Sequence, residues 1–105
     1  MEAVVILITA SSIDEAKKIG NALMEERLIA CVNIIPQVES IFYWQEKVCN
    51  EKEALMIIKT RKSLIADIIK KVKSIHSYSV PEIIALPIIS GSEDYLKWVG
   101  DVTKG

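Results

Sequence analysis

The chain has 105 residues, half of them hydrophobic, with 13 Lys and Arg against 14 Asp and Glu and a formal net charge of -1. That length fits one domain with a single core, and the near balance of charge removes any bulk attraction to nucleic acid or to an acidic membrane surface. Mean hydropathy is +0.29, high for a small soluble monomer, yet no apolar run approaches the ~18 residues of a membrane span.

Residues 3–8 (AVVILI) form a continuous β-branched run, the pattern of a strand buried on both faces. An acidic residue precedes the run, so it reads as a first strand rather than as the apolar part of a signal peptide. Ser12 and Glu15 have capping-box spacing. Ile13, Ala16, Ile19, Gly20 and Leu23 then share one helical face, which predicts a helix over about 13–27. Gly20 inside that helix costs ~1 kcal/mol relative to Ala and signals a close approach of helix to sheet.

Residues 28–44 (LIACVNIIPQVESIFYW) carry no helix-period stripe. They predict a long strand with Pro36 at a bulge or an edge. This exceeds the usual ~5–6 residues of a strand, so part of it should reach past its own sheet. Residues 45–47 predict a hairpin turn without the Asn-Gly or Asp-Gly signature, and 48–60 the returning strand. Ser63 is a candidate cap for a second helix over about 64–75, whose stripe is Ile65, Ile68, Ile69, Val72 and Ile75. Residues 76–81 form a loop and 82–89 a fourth strand, with Pro87 at an edge or a late bulge. Ser92 is a candidate cap for a third helix, with Glu93 and Asp94 in its first turn.

The order β-α-β-β-α-β plus a terminal helix is the split βαβ, or ferredoxin-like, α+β plan, with the first two helices on one face of an antiparallel sheet. The other face should be polar in a monomer. Instead the strands are apolar at odd and even positions alike, and a large open apolar face marks an interaction surface. The simplest partner is another copy of the chain in a closed symmetric assembly. The hairpin, about 38–50, can add its strands to a neighbouring sheet edge.

The chain contains no phosphate loop, no G-x-S-x-G, no H-E-x-x-H and no paired-cysteine zinc motif. With one histidine and no flanking nucleophile, no catalytic triad can be assembled, and the chain reads as a non-enzyme. His76 is either a metal ligand or general base or a helix-end residue favoured by the dipole. Cys31 is either a small hydrophobe within a strand or a thiolate ligand for a soft metal such as Cu(I). Cys49, near the turn, has nothing beside it to complete a site. Two cysteines make no disulfide framework and suggest a reducing compartment. Tyr43 and Trp44 are either a stacking platform for a ligand or interface anchors. Lys59 rises from an apolar face and needs either Glu82 as an ion-pair partner or a ligand's anion.

Five stretches in one order carry a resemblance that covers nearly the whole chain: ERLIACVNIIP at 26–36, S-x-x-Y-W at Ser40, Tyr43 and Trp44, IIKT at 57–60, H-x-Y-x-x-PEI at 76–83, and DYLKW at 94–98. Together they resemble the CutA divalent-cation tolerance family. The resemblance implies a cytoplasmic homotrimer of ferredoxin-like subunits, similar to PII signalling proteins, with hairpins that pair between subunits. It further implies a link to tolerance of copper and other divalent metals, and no catalytic activity. His76 and Cys31 are the metal-ligand candidates it suggests. In the enterobacterial pattern, copper ligation is associated with a cysteine at the end of the first strand and a His-His pair after the second helix. The corresponding positions here hold Ile8 and Ile75-His76, while Cys31 matches the family's A-C-x-N motif. The alternative is a PII-like regulatory or scaffold trimer. Its inter-subunit clefts, lined by Trp44, Lys59, His76, Tyr78 and Glu82, would take a small anionic ligand or a protein partner.

Overall fold

The computed structural model describes residues 1–105 and contains four strands and three helices in the order β1 (Ala3–Ala10), α1 (Ile13–Glu25), β2 (Cys31–Trp44), β3 (Lys47–Arg61), α2 (Ile65–Ile75), β4 (Ile83–Pro87) and α3 (Glu93–Val102). The strands form one sheet in the order β2-β3-β1-β4 with every neighbouring pair antiparallel. This is the expected ferredoxin-like arrangement. Ile19 and Leu23 of α1 and Ile68 and Val72 of α2 pack on Val4, Ile6, Ile8, Met56 and Ile58, so both helices cover the same sheet face. Fully burying each such side chain contributes roughly 1.5–3 kcal/mol.

The helix ends show where local chemistry sets the chain's path. Ser12 caps α1, its Oγ accepting the Glu15 N–H at 3.1 Å. The Glu15 carboxylate does not return to the cap residue, however: its Oε1 accepts both the Ser11 N–H and the Ser11 hydroxyl, each at 2.9 Å. At the other end, Arg27 takes a left-handed conformation (φ 56°). Its N–H donates to Met24 O and the Leu28 N–H to Leu23 O, the crossed bonds of a Schellman motif. The helix therefore stops at Glu25 rather than Arg27, and residues 28–30 are a buried connection rather than strand. Gly20 is buried, and a Cβ there would lie 3.1 Å from Val32 Cγ1, which is the close approach expected.

Two expected caps are absent. The chain enters α2 through a 3-10 turn, Lys62–Leu64, closed by the Ile65 N–H on Lys62 O, so backbone replaces the Ser63 side chain. Ser92 stands at the start of α3 but its hydroxyl makes no capping bond; its carbonyl accepts the Leu96 N–H instead.

β2 and β3 pair along their whole length, with a register break between Ile35 and Val38. Pro36 lies in that break, where its missing N–H leaves no ladder bond unmade. β1 pairs with β3 only as far as Ala54, so residues 47–53 and their β2 partners stand beyond the sheet as a two-stranded ribbon. The ribbon turns at Gln45 and Glu46, both at positive φ (49° and 64°), the conformation of a tight primed turn without its usual glycine. The fourth strand is shorter than the expected 82–89. It is an edge strand on β1, with Pro87 at its last position.

The sheet face away from α1 and α2 is apolar. Leu7 pairs with Ile57 on one side and Ile84 on the other, and Val5 with Leu86. Ile84 and Leu86 remain 49% and 48% exposed. α3 covers only the end of this face near Arg61, whose guanidinium donates to Gly100 O and to Thr103 Oγ1.

Candidate functional site

After α2 the chain turns back over the end of β1, and a polar cluster fixes this turn. The His76 side chain is fully buried. Its Nε2 lies 2.8 Å from the Thr9 carbonyl, and its Nδ1 accepts the Tyr78 N–H at 3.0 Å. A carbonyl only accepts, so Nε2 carries the proton and the ring is the neutral tautomer. Glu15 Oε2 accepts the Ser77 N–H at 2.7 Å and approaches Nδ1 at 3.8 Å. Burial acts to raise the Glu15 pKa, but the hydrogen bonds from Ser11 and Ser77 outweigh it and hold the carboxyl at about 2. Glu15 thus ties the start of α1 to the segment after α2.

Tyr78 continues the chain of contacts. Its ring lies 4.7 Å from that of His76, and its hydroxyl donates to Glu53 Oε2 at 2.6 Å. Glu53 is only 8% exposed. Burial, followed by the hydrogen bond to Glu53, pushes the Tyr78 hydroxyl well above the ordinary phenol range. Between this segment and the ribbon opens a cavity of about 820 Å³, and Trp44, Tyr78 and Glu82 line it. The same wall carries Cys49, Glu51 and Glu53.

Lys59 and His76, expected beside these three in clefts between subunits, do not line this cavity of the single chain. Lys59 Nζ donates to Asn33 Oδ1, and Lys59 sits opposite Val5 near the start of β1. Glu82 precedes Ile83, which pairs with Ile8 near the other end of β1. The antiparallel run of β4 therefore keeps Lys59 and Glu82 apart, and the expected ion pair does not form. His76 lies outside this cavity, its side chain buried and both ring nitrogens engaged within the chain.

His76 and Cys31 do not meet either. Cys31 is opposite Lys59. Thr9, which holds His76, is opposite Leu55, four residues further along β3, or on the order of 13 Å at strand spacing. No three His, Cys, Asp or Glu side chains of the chain gather closely enough to hold a metal ion. Ile8 is fully buried in the core and Ile75 packs against it. The residues of one chain do not fit a copper centre.

Sequence reasoning missed Glu53 and Glu15 as members of the site. Glu53 shares the strand phase of Leu55 and Ile57, a charge in an apolar series, which was its one signal. Glu15 was visible only as a capping residue.

The family model of the CutA1 divalent ion tolerance protein matches residues 4–102. Among curated proteins, the chain is similar to "Protein CutA, chloroplastic" of Arabidopsis thaliana, 43% identical over 97% of this chain and 56% of that one. It is also similar to "Divalent-cation tolerance protein CutA" of Thermus thermophilus, 46% identical over 94% of this chain and 96% of that one. The chain thus spans little more than half the length of the Arabidopsis relative and nearly all of the Thermus one. Among solved structures, CutA1 from Oryza sativa superposes with a TM-score of 0.96 at 40% identity, covering 99% of this chain and 95% of that one. The Thermus thermophilus protein superposes with a TM-score of 0.94 at 44% identity, covering 97% and 99%.

Proposed function

This chain belongs to the CutA1 divalent ion tolerance family, and we propose that it works as a cytoplasmic homotrimer in tolerance of copper and other divalent cations, without catalysing a reaction. The observation that carries the assembly is the second sheet face. Leu7, Ile57 and Ile84 are neighbours across three strands, and Val5 and Leu86 extend the patch. A patch of this kind is a docking surface, and a closed ring of like chains would bury it on every subunit. The ribbon supplies a second contact, since each two-stranded arm has a free edge for strand addition.

Metal, in this reading, is held by side chains from neighbouring subunits, because a single chain does not gather three ligands. Native mass spectrometry tests both parts. A mass three times the 11.7 kDa subunit and a fixed copper count per trimer are expected, and Ile57→Asp should yield smaller species. A folded wild-type monomer would overturn the assembly; a trimer that takes up no copper would overturn the metal role.

The cavity favours a second reading, a PII-like regulatory or scaffold trimer with a ligand in its clefts. Within one chain Lys59 is bonded to Asn33 and lies outside the cavity, so in this reading a small anion or a protein partner that uses Lys59 is bound between subunits.

A further inference from the structure

We propose that the cavity between the ribbon and residues 76–82 binds an organic polycation, a di- or polyamine whose ammonium groups are several ångströms apart. The inference rests on the cleft-binding reading above and names the class of ligand for it.

Charge comes first. Glu51, Glu53 and Glu82 line the cavity, against Lys52 as the one ammonium. An anion entering it would meet an excess of like charge. Glu53 is the telling residue. It is 8% exposed, its one hydrogen bond comes from the Tyr78 hydroxyl, and it takes part in none of the chain's ion pairs. Glu53 thus lines the cavity with one hydrogen bond and no cationic partner within the chain. A bound ammonium would supply that partner through a charge-assisted hydrogen bond.

Size and spacing then separate an organic cation from a metal ion. A metal needs its ligands converged on one point at about 2–2.6 Å, and these carboxylates do not converge. They are distributed around about 820 Å³, a volume within the roughly 300–1,000 Å³ of small-molecule sites. Separated negative groups match separated positive ones. The cavity walls also carry Phe42, Trp44 and Tyr78. Aromatic faces attract ammonium groups and cover the methylenes between them, which a hydrated metal ion does not have.

The test is titration of the intact protein with spermidine, read by native mass spectrometry and by calorimetry. Glu51 and Glu82 are exposed, so E51Q/E82Q removes charge without disturbing the core. The expected result is one spermidine per subunit, bound at least ~10-fold more weakly by E51Q/E82Q and by Glu53→Gln, with no uptake of inorganic phosphate. The proposal is overturned by an absence of saturable spermidine binding, by unchanged affinity in E51Q/E82Q, or by magnesium displacing the amine charge for charge. The same spectra report subunit number. A trimer without spermidine overturns this proposal alone, whereas a monomer that binds spermidine supports it and overturns the assembly.

Discussion

Glu15→Gln is the substitution that tests most of the site at once. The carboxylate serves Ser11 through Oε1 and Ser77 through Oε2. A glutamine has one acceptor oxygen, so it satisfies one side and presents an NH2 group to the other. The folded carboxyl is held at about 2, below an ordinary value of 4.5. At ~1.4 kcal/mol per pKa unit the ceiling is about 3 kcal/mol, and screening at the partly solvated edge where it lies brings the contribution to roughly 1–2 kcal/mol. The sign follows from the depressed pKa. The stabilisation is complete above the unfolded value of 4.5 and is lost as pH falls through 4.5 toward 2. Denaturant unfolding of the wild type and the variant, at one protein concentration, should therefore differ by a constant amount at neutral pH. The two curves should converge as the pH approaches 2. Equal stability at neutral pH, or a gap that stays constant down to acid pH, would refute the account. Because Glu15 anchors residues 76–82, the variant should also weaken any ligand held in the cavity.

Replacing Gln45 by Asn together with Glu46 by Gly places residues that accept left-handed geometry at both positive-φ positions. Relief of roughly 1–2 kcal/mol is expected, visible as a higher melting temperature, and no rise would mean the turn is unstrained. Thr60→Val keeps the shape of a fully buried side chain but removes the donor that Thr60 Oγ1 gives to Leu28 O at 2.6 Å. The cost should be about 1–3 kcal/mol, read as a lower denaturant midpoint with unchanged slope. Gly20→Ala should be close to neutral, since the helix gain of ~1 kcal/mol meets the 3.1 Å contact with Val32. In a Val32→Ala background the same change should stabilise, and a cycle without coupling would show that the contact does not matter.

The layered plan was readable from periodicity. Alternation along residues 53–60 separates Leu55, Ile57 and Lys59 from Ala54, Met56, Ile58 and Thr60, and the structure puts the second set in the core. The stripes of α1 and α2 identified Ile19, Leu23, Ile68 and Val72. The ordered motifs pointed to the family. The errors have physical causes. Arg27 adopts a conformation that glycine or asparagine would have flagged, so the expected end of α1 falls too late, and Gln45 and Glu46 do the same at a hairpin turn that lacks its usual signature. Ser63 and Ser92 have the chemistry of caps, yet the backbone closed those turns itself. At the site, motif order brought Trp44, Tyr78 and Glu82 to one cavity. Lys59 lies outside that cavity of the single chain because the pairing of β3 with β1 decides which end of the sheet each residue reaches, and no local pattern encodes that register.

The ribbon of residues 38–53 has a kinetic consequence. Two strands alone are marginal in water, and beyond Ala54 no third strand supports them. In an unassembled subunit the outward-facing amides of the ribbon would exchange with solvent rapidly, while those of β1, flanked by β3 and β4, would be protected. Strand addition by a neighbour would slow the ribbon amides and leave β1 unchanged. Deuterium uptake at the ribbon, followed against protein concentration, is therefore a built-in clock for association, readable without a covalent tag or a ligand.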